Sequence, residues 1–284
     1  MRLVTPLEMM KLEDRTNKSG ISYDQMMERA GTGLAEHLAH FAMEQSATSL
    51  LFICGNGNNA GDCFVAATQL ADRYAVTVAL AAGIPKTRTA YTKYKMMKDV
   101  QVLTDQDQIR EAVSRHHLIV DGVFGIGFRG ELNPFIRELF GMVNADPAKQ
   151  CIAVDIPSGG SGLNGSAADG TPHCVMTVTF GAAKAGLFLE PLSEYCGAIL
   201  LVDIGIPETR WRSSNTRSAI FRATISAANC RRARIMRIRE CSAGCFALPA
   251  PAICRALRFW LRRPHCAAVS GCIALPRILR FAEC

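Results

Sequence analysis

Gly55-Asn56-Gly57-Asn58-Asn59-Ala60-Gly61-Asp62 stands between an apolar run, Leu50-Leu51-Phe52-Ile53-Cys54, and the segment Phe64-Val65-Ala66-Ala67-Thr68-Gln69-Leu70. The run reads as a buried parallel strand and the segment as a helix. A glycine-rich strand-to-helix turn is where an α/β protein holds a phosphate, because small residues let the backbone approach and helix N–H groups point at the anion. The two asparagines and the aspartate make this turn more specific than a generic phosphate loop. A tight turn without a ligand explains the glycines but not Asn58, Asn59 and Asp62 together.

Two generic readings of the turn fail further along the chain. Gly55-x-Gly57-x-x-Ala60 formally fits the dinucleotide fingerprint, which wants a carboxylate at the end of the next strand for a ribose hydroxyl. That strand, Ala75-Val76-Thr77-Val78-Ala79-Leu80, ends in Ala81-Ala82-Gly83. A triphosphate loop would close on Gly-Lys-Ser/Thr, which is absent.

The rest of residues 1–208 alternates strands and helices. Strands are expected near 49–54, 75–80, 100–103, 117–121, 151–155, 175–180 and 198–203, and helices near 60–72, 88–98, 107–114 and 133–143. Thr5-Pro6-Leu7-Glu8 and Ser22-Tyr23-Asp24-Gln25 are capping boxes that open two N-terminal helices. Met26, Met27, Ala30, Leu34 and Leu38 form the apolar face of the second. Consecutive apolar residues in several strands suit a sheet covered on both sides. The expected fold is therefore a three-layer, Rossmann-like, doubly wound α/β domain, with a mainly parallel sheet, helices on both faces and two N-terminal helices.

Such sheets bind ligands at the carboxyl ends of their strands. Three strands end in polar, glycine-bearing loops: the opening turn, Asp121-Gly122-Val123-Phe124-Gly125-Ile126-Gly127-Phe128-Arg129-Gly130-Glu131, and Asp155-Ile156-Pro157-Ser158-Gly159. In a parallel sheet all three lie along one edge, where Asp62, Asp121 and Asp155 would surround one crevice. Carboxylates with amide and hydroxyl oxygens suit a cation or acid–base chemistry. Each aspartate alone could equally cap a turn or a helix.

The net charge of +7 is unevenly distributed. Residues 1–208 hold 17 basic and 23 acidic residues, and residues 209–284 hold 15 and 2. All 15 of those tail cations are arginine, and 7 of the 12 cysteines lie in the tail. A basic arm centred on Arg231–Arg239 would fit nucleic acid or anionic membrane, yet such arms mix in lysine and avoid dense cysteine. Cys241-x-x-x-Cys245 with scattered Cys254, Cys266 and Cys272 is poor zinc spacing. Disulfides are not expected in a chain without a secretion signal. The favoured reading is a disordered or out-of-frame product of GC-rich DNA; a natural arm and a small folded module are the alternatives. No apolar run is long enough to span a bilayer and no secretory signal pattern opens the chain, so a cytoplasmic location is expected, without nucleic-acid or membrane partners.

Taken together, the loops resemble the NAD(P)H-hydrate epimerase family, the N-terminal domain type of the bacterial bifunctional NAD(P)H-hydrate repair enzymes. Met26-Met27-Glu28-Arg29-Ala30-Gly31, Thr177–Leu187 with Phe180-Gly181-Ala182-Ala183-Lys184-Ala185-Gly186, and Val202-Asp203-Ile204-Gly205-Ile206-Pro207 extend the resemblance over roughly residues 1–208. It implies an isomerase of nicotinamide cofactor repair that interconverts the R and S forms of hydrated NADH and NADPH, which carry a hydroxyl at nicotinamide C6. The functional partner would be an NAD(P)H-hydrate dehydratase, here missing after about Glu208; a homo-oligomer is left open. Asn58, Asn59, Ala60, Gly61 and Asp62 match the substrate-binding turn. Gly125, Ile126, Gly127, Phe128, Arg129, Gly130 and Glu131 match a second, phosphate-side loop, and Asp155 a substrate-contacting carboxylate. Asn59, Asp121 and Ser158 match positions that hold a potassium ion. Asp155 is the candidate general acid or base, and Arg129 is the candidate phosphate contact.

The alternative is a non-catalytic interaction module of the same fold, which has no need of Asp62, Asp121, Asp155 and Ser158 together. The chain also departs from the family pattern. Ala60 and Cys63 replace glycines of the usual turn; Ala60 would cost about 1 kcal/mol if its φ had to be positive. Gly160-Ser161-Gly162 replaces the usual continuation after Ser158-Gly159, and a looser loop with reduced activity is expected there.

Overall fold

The computed structural model describes residues 2–213; the arginine- and cysteine-rich tail, apart from its first few residues, lies outside them. Its centre is a seven-stranded sheet in the order β4-β3-β2-β5-β6-β7-β9. The strands are β2 (Ser49–Cys54), β3 (Ala75–Leu80), β4 (Gln101–Leu103), β5 (Leu118–Gly122), β6 (Gln150–Val154), β7 (Cys174–Phe180) and β9 (Ala198–Val202). Every pairing between them is parallel.

Alternation along each strand feeds two cores. Leu50, Phe52 and Cys54 of β2, with Val120, Ile152 and Val178, face α1 (Pro6–Lys18), α2 (Tyr23–Glu44) and α3 (Asn58–Leu70). Leu51 and Ile53, with Ile119 and Ala153, face α5 (Gln106–Arg115) and α6 (Pro134–Ala145). The helix α4 (Arg88–Met96) packs on α3, where Tyr94 meets Phe64 at 5.8 Å between ring centroids. Both N-terminal capping boxes form as the sequence implies. All seven expected strands and the four expected helices, α3 to α6, lie within two residues of their expected bounds at each end.

Two features that position the site have no periodic signature. A two-residue strand, β1 (Leu3–Val4), pairs in parallel with another, β8 (Ala183–Lys184), setting Val4 opposite Lys184. This tie holds α1 over the carboxyl edge of the sheet. A short helix, α7 (Glu208–Ser213), packs on α1, with Trp211 buried and the Arg2 guanidinium 4.8 Å from its ring.

The chain leaves β2 toward β3 on one side and returns to β5 on the other, so the strand order reverses between β2 and β5. At that switch point the loops after the two strands touch. Gly55 N–H donates to Gly122 O at 3.2 Å. A Cβ on Gly55 would lie 2.0 Å from the Val123 carbonyl oxygen, so only glycine permits this approach.

Two sequence expectations change. Ala60 does not take a positive φ: it is a buried residue in the first turn of α3, whose helix begins at Asn58, so it carries none of the feared strain. The Gly160-Ser161-Gly162 segment is pinned rather than loose. Gly160 N–H donates to Pro157 O at 2.8 Å, Ser161 N–H to Ser166 O at 2.8 Å, and Gly186 N–H to Gly162 O at 2.9 Å. Gly160 and Gly162 pack so closely on Leu192 and Ile156 that side chains there would collide, which is why small residues stand in this loop.

Candidate functional site

A cleft of about 680 Å³ opens at the switch point. It is lined by the turn Asn56–Asn59 and Asp62, by Val123–Phe128, and by Met10, Glu13 and Asp14 of α1 with Tyr23 of α2. Asp155, Phe180 and Lys184 line its deep end. The expected convergence of three strand-end loops is therefore present.

Asp155 ends β6 with φ +67, a left-handed conformation that an aspartate tolerates better than most side chains. Its N–H still reaches Val178 O at 2.7 Å, so the turn stays anchored to β7 while the carboxylate is aimed at the cleft. Its Oδ1 accepts from Lys184 Nζ at 2.5 Å and Thr179 Oγ1 at 3.0 Å. Lys184 also donates to Phe180 O at 3.0 Å and is 2% exposed, against 7% for Asp155. With Oδ1 saturated, Oδ2 is the oxygen left for a ligand. A Cβ on Gly125 would lie 3.0 Å from both Asp155 Oδ2 and Asn59 Oδ1, so the absent side chain keeps a passage between these oxygens open.

Asp62 is held in α3 with its carboxyl turned to the same space. Burial, reinforced by Asp155 and Glu13, pushes it well above the ordinary carboxylate range. Asp121 lies beneath the cleft, fully buried, rather than on it. Its Oδ1 accepts from Ser158 Oγ at 2.6 Å and its Oδ2 from Ser158 N–H at 2.7 Å; Val123 N–H adds a turn-closing bond at 3.3 Å. Burial raises Asp121 to about 6, and the Ser158 bonds restrain the rise. Phe124 N–H donates to Ser158 Oγ at 2.8 Å, locking the wall loop to the Asp155 loop.

The cation question turns on oxygen donors. Asn59 Nδ2 donates to Val154 O at 3.2 Å, which fixes the amide so that Oδ1 is the atom turned toward Gly125. Asn59 Oδ1, the Ser158 hydroxyl and the Asp121 carboxylate are all hard oxygen donors, tied together through the 123–125 loop. A large monovalent cation fits such a set, while among the described residues no group of three or more His, Cys, Asp or Glu side chains could hold a metal.

The remaining expected residues sort by position. Asn58, Gly125, Ile126, Gly127 and Phe128 line the cleft. Ala60 and Gly61 are buried in the first turn of α3, with Gly61 against Met27, and only their backbone can serve a ligand. The Gly57 cap of α3 has no side-chain capping bond, which leaves first-turn N–H groups for an anion. Arg129 turns its guanidinium onto the carbonyls of its own loop, Ile126 at 3.2 Å and Phe128 at 2.6 Å, and Gly130 and Glu131 are exposed beyond it. Cys63 is buried with Sγ where a Cβ of Gly122 would sit, so the two positions compensate in volume. Sequence reasoning missed Lys184, Glu13, Tyr23 and Thr179 as site residues. For Lys184 a signal existed: one lysine inside an otherwise apolar, small-residue stretch.

The family model described as "YjeF-related protein N-terminus" matches residues 23–186. The chain belongs to this family. Among its curated relatives, an NAD(P)H-hydrate epimerase of Elusimicrobium minutum is 29% identical over 221 residues, 73% of this chain and 97% of the relative. An NAD(P)H-hydrate epimerase of Rhodopirellula baltica is 32% identical over 189 residues, 64% of this chain and 75% of the relative. The Bifunctional NAD(P)H-hydrate repair enzyme Nnr of Pyrobaculum aerophilum is 29% identical over 215 residues, 73% of this chain, and this chain spans 42% of its length. The solved structure of yeast ynu0, YNL200c, shares the fold with a TM-score of 0.58 at 22% identity, covering 69% of this chain and 84% of the other. In this family member the matched span contains the three loops and Lys184 but stops short of β9 and α7.

Proposed function

We propose that this chain is an isomerase that interconverts the R and S forms of hydrated NADH and NADPH in nicotinamide cofactor repair. The observation that carries the reading is the buried Asp155–Lys184 pair at the deep end of the switch-point cleft, in a chain similar to nearly the whole of a protein named NAD(P)H-hydrate epimerase.

Inversion at C6 requires the hydroxyl-bearing carbon to be opened and remade, and protons must move as that happens. Asp155 holds or takes the proton through Oδ2, while Lys184 and Thr179 fix Oδ1 and orient the group. The free N–H groups at the start of α3 and the 125–128 wall orient the dinucleotide. Asn59, Asp121 and Ser158 would hold a potassium ion, whose chemistry is to neutralise negative charge and fix the loops around the substrate. An interaction module would have little reason to retain a desolvated ion pair facing an open cleft, since such pairs contribute little net stability.

The accompanying readings are that residues 1–208 form the epimerase unit, that the protein is cytoplasmic and works beside a dehydratase, and that the tail from 209 is out-of-frame. The charge contrast and the Bifunctional relatives support the last. Translating the gene past codon 208 in its other frames tests it; a stop at that point in both frames would end it. The functional test is conversion of separated R and S hydrates by the purified full-length chain, with and without potassium. Acceleration, larger with potassium, is expected, and none from folded protein would return the chain to the module reading.

A further inference from the structure

We infer that Glu13 is a second proton-carrying residue of this site, serving the ring face that Asp155 does not reach. The inference rests on the epimerase reading and names the group that reading lacks. Inversion moves a hydroxyl from one face of a ring to the other, and a carboxyl group fixed on one side of the cleft reaches only one face. A second group, brought to the same cleft by another element, completes the chemistry.

The fold puts such a group there. On α1, Met9, Leu12 and Thr16 are buried in the core, and Glu13 lies at the edge of that stripe beside the cleft residues Met10 and Asp14. The β1–β8 pairing, with Val4 opposite Lys184, fixes this wall relative to the Asp155–Lys184 pair. Among the described residues Glu13 makes no salt bridge, although it is half-buried. The charged and titratable groups around it come from every adjoining element: Lys184 of β8, Asp155 after β6, Asp62 of α3, Tyr23 of α2 and Asp14 on its own helix. Burial and the Asp155 charge raise Glu13 to about 7, with Lys184 opposing. At neutral pH it therefore exists in both forms.

For loss and return of the hydroxyl the balance is as follows. The Glu13 carboxyl gives its proton to the C6 hydroxyl, the C6–O bond breaks, and its electron pair leaves with water. The adjoining ring nitrogen supplies its lone pair to form a C=N bond. Water then adds to C6 from the other face, the pair returns to nitrogen, and the proton of that water goes to Asp155. The reverse epimerisation runs the same steps with the two carboxyl groups exchanged, and the open cleft mouth lets both re-equilibrate with solvent.

The test uses the full-length chain with potassium and separated R and S hydrates, comparing wild type, Glu13→Gln, Glu13→Asp and Asp155→Asn from pH 5.5 to 9. Wild type should show a break in kcat near pH 7. Glu13→Gln should lower kcat by about 10²–10⁴-fold and abolish the break, with KM little changed. Glu13→Asp should keep the break and recover part of the rate, which a merely structural role would not require. A Glu13→Gln variant that retains rate and break while Asp155→Asn loses the rate would discard Glu13 and leave the epimerase reading standing. Should the Gln variant not fold, a Glu13→Ala variant that keeps the wild-type rate and break would discard it equally. A wild-type chain without epimerase activity would overturn both.

Discussion

Lys184 Nζ stands 2.5 Å from Asp155 Oδ1, and the two residues, 29 positions apart, are among the least exposed charged groups of the described residues. Each is tolerable in the interior only because of the other. Removing one partner leaves an uncompensated charge, a loss of about 3–5 kcal/mol for a fully buried pair. Lys184→Met should therefore lower the denaturant midpoint markedly. Combining it with Asp155→Asn should recover much of the stability but none of the activity. A double variant no more stable than Lys184→Met, measured by urea unfolding, would contradict the coupling.

Gly125 is a prediction about space. A methyl group there would lie 3.0 Å from Asn59 Oδ1 and Asp155 Oδ2. Gly125→Ala should close the passage to the reactive oxygen and lower the rate by at least about tenfold, roughly the 1.4 kcal/mol that a misplaced contact easily costs. The thermal midpoint should stay near wild type. Parallel activity and melting measurements check this, and a variant as active as wild type would count against Oδ2 as the ligand-facing atom.

Ser158→Ala removes the hydroxyl that donates to Asp121 Oδ1 and accepts from Phe124 N–H. Leaving such buried groups unsatisfied costs about 1–3 kcal/mol. Because the same hydroxyl belongs to the proposed cation site, the response of both stability and rate to potassium should also shrink. Thermal melts in potassium and in its absence measure the first, and epimerisation assays the second.

Glu13 makes a stability prediction opposite in sign to its catalytic one. Its folded-state pKa of about 7 lies above the ordinary glutamate value of 4.5. A carboxyl raised in this way contributes its stability fully below the unfolded value, and that contribution is lost as pH rises through the folded value. Wild-type stability should therefore fall between about pH 4.5 and 7 through this group. Glu13→Gln should be more stable than wild type above pH 7, by on the order of 1–3 kcal/mol, and the gain should vanish below pH 4.5. Urea midpoints across that range give the answer; a gain independent of pH would mean the carboxyl does not titrate as described.

Legibility differed sharply between parts of the molecule. The β2 turn, the capping boxes at Thr5 and Ser22 and the apolar strands were readable because each depends on residues close in sequence. Asp62 and Asp155 were placed in one crevice by the parallel-sheet rule alone. Asp121 was placed there too, but its Ser158 bonds hold it beneath the cleft. Glu13 escaped notice because it is an ordinary helix glutamate, and Lys184, although it stands out in an apolar, small-residue stretch, because its partner lies 29 residues away. The strands β1 and β8 are two residues each, too short for any alternation to declare itself.

By itself, then, the sequence determined the alternation of elements, the doubly wound sheet and the family, because hydrophobic period, capping and glycine placement are local properties. Which oxygen of Asp155 is free, that Glu13 lines the same cleft and why Gly160–Gly162 is firm were decided only by tertiary structure. Those answers depend on contacts between loops and helices distant in sequence, where burial and the proximity of charges set both geometry and protonation.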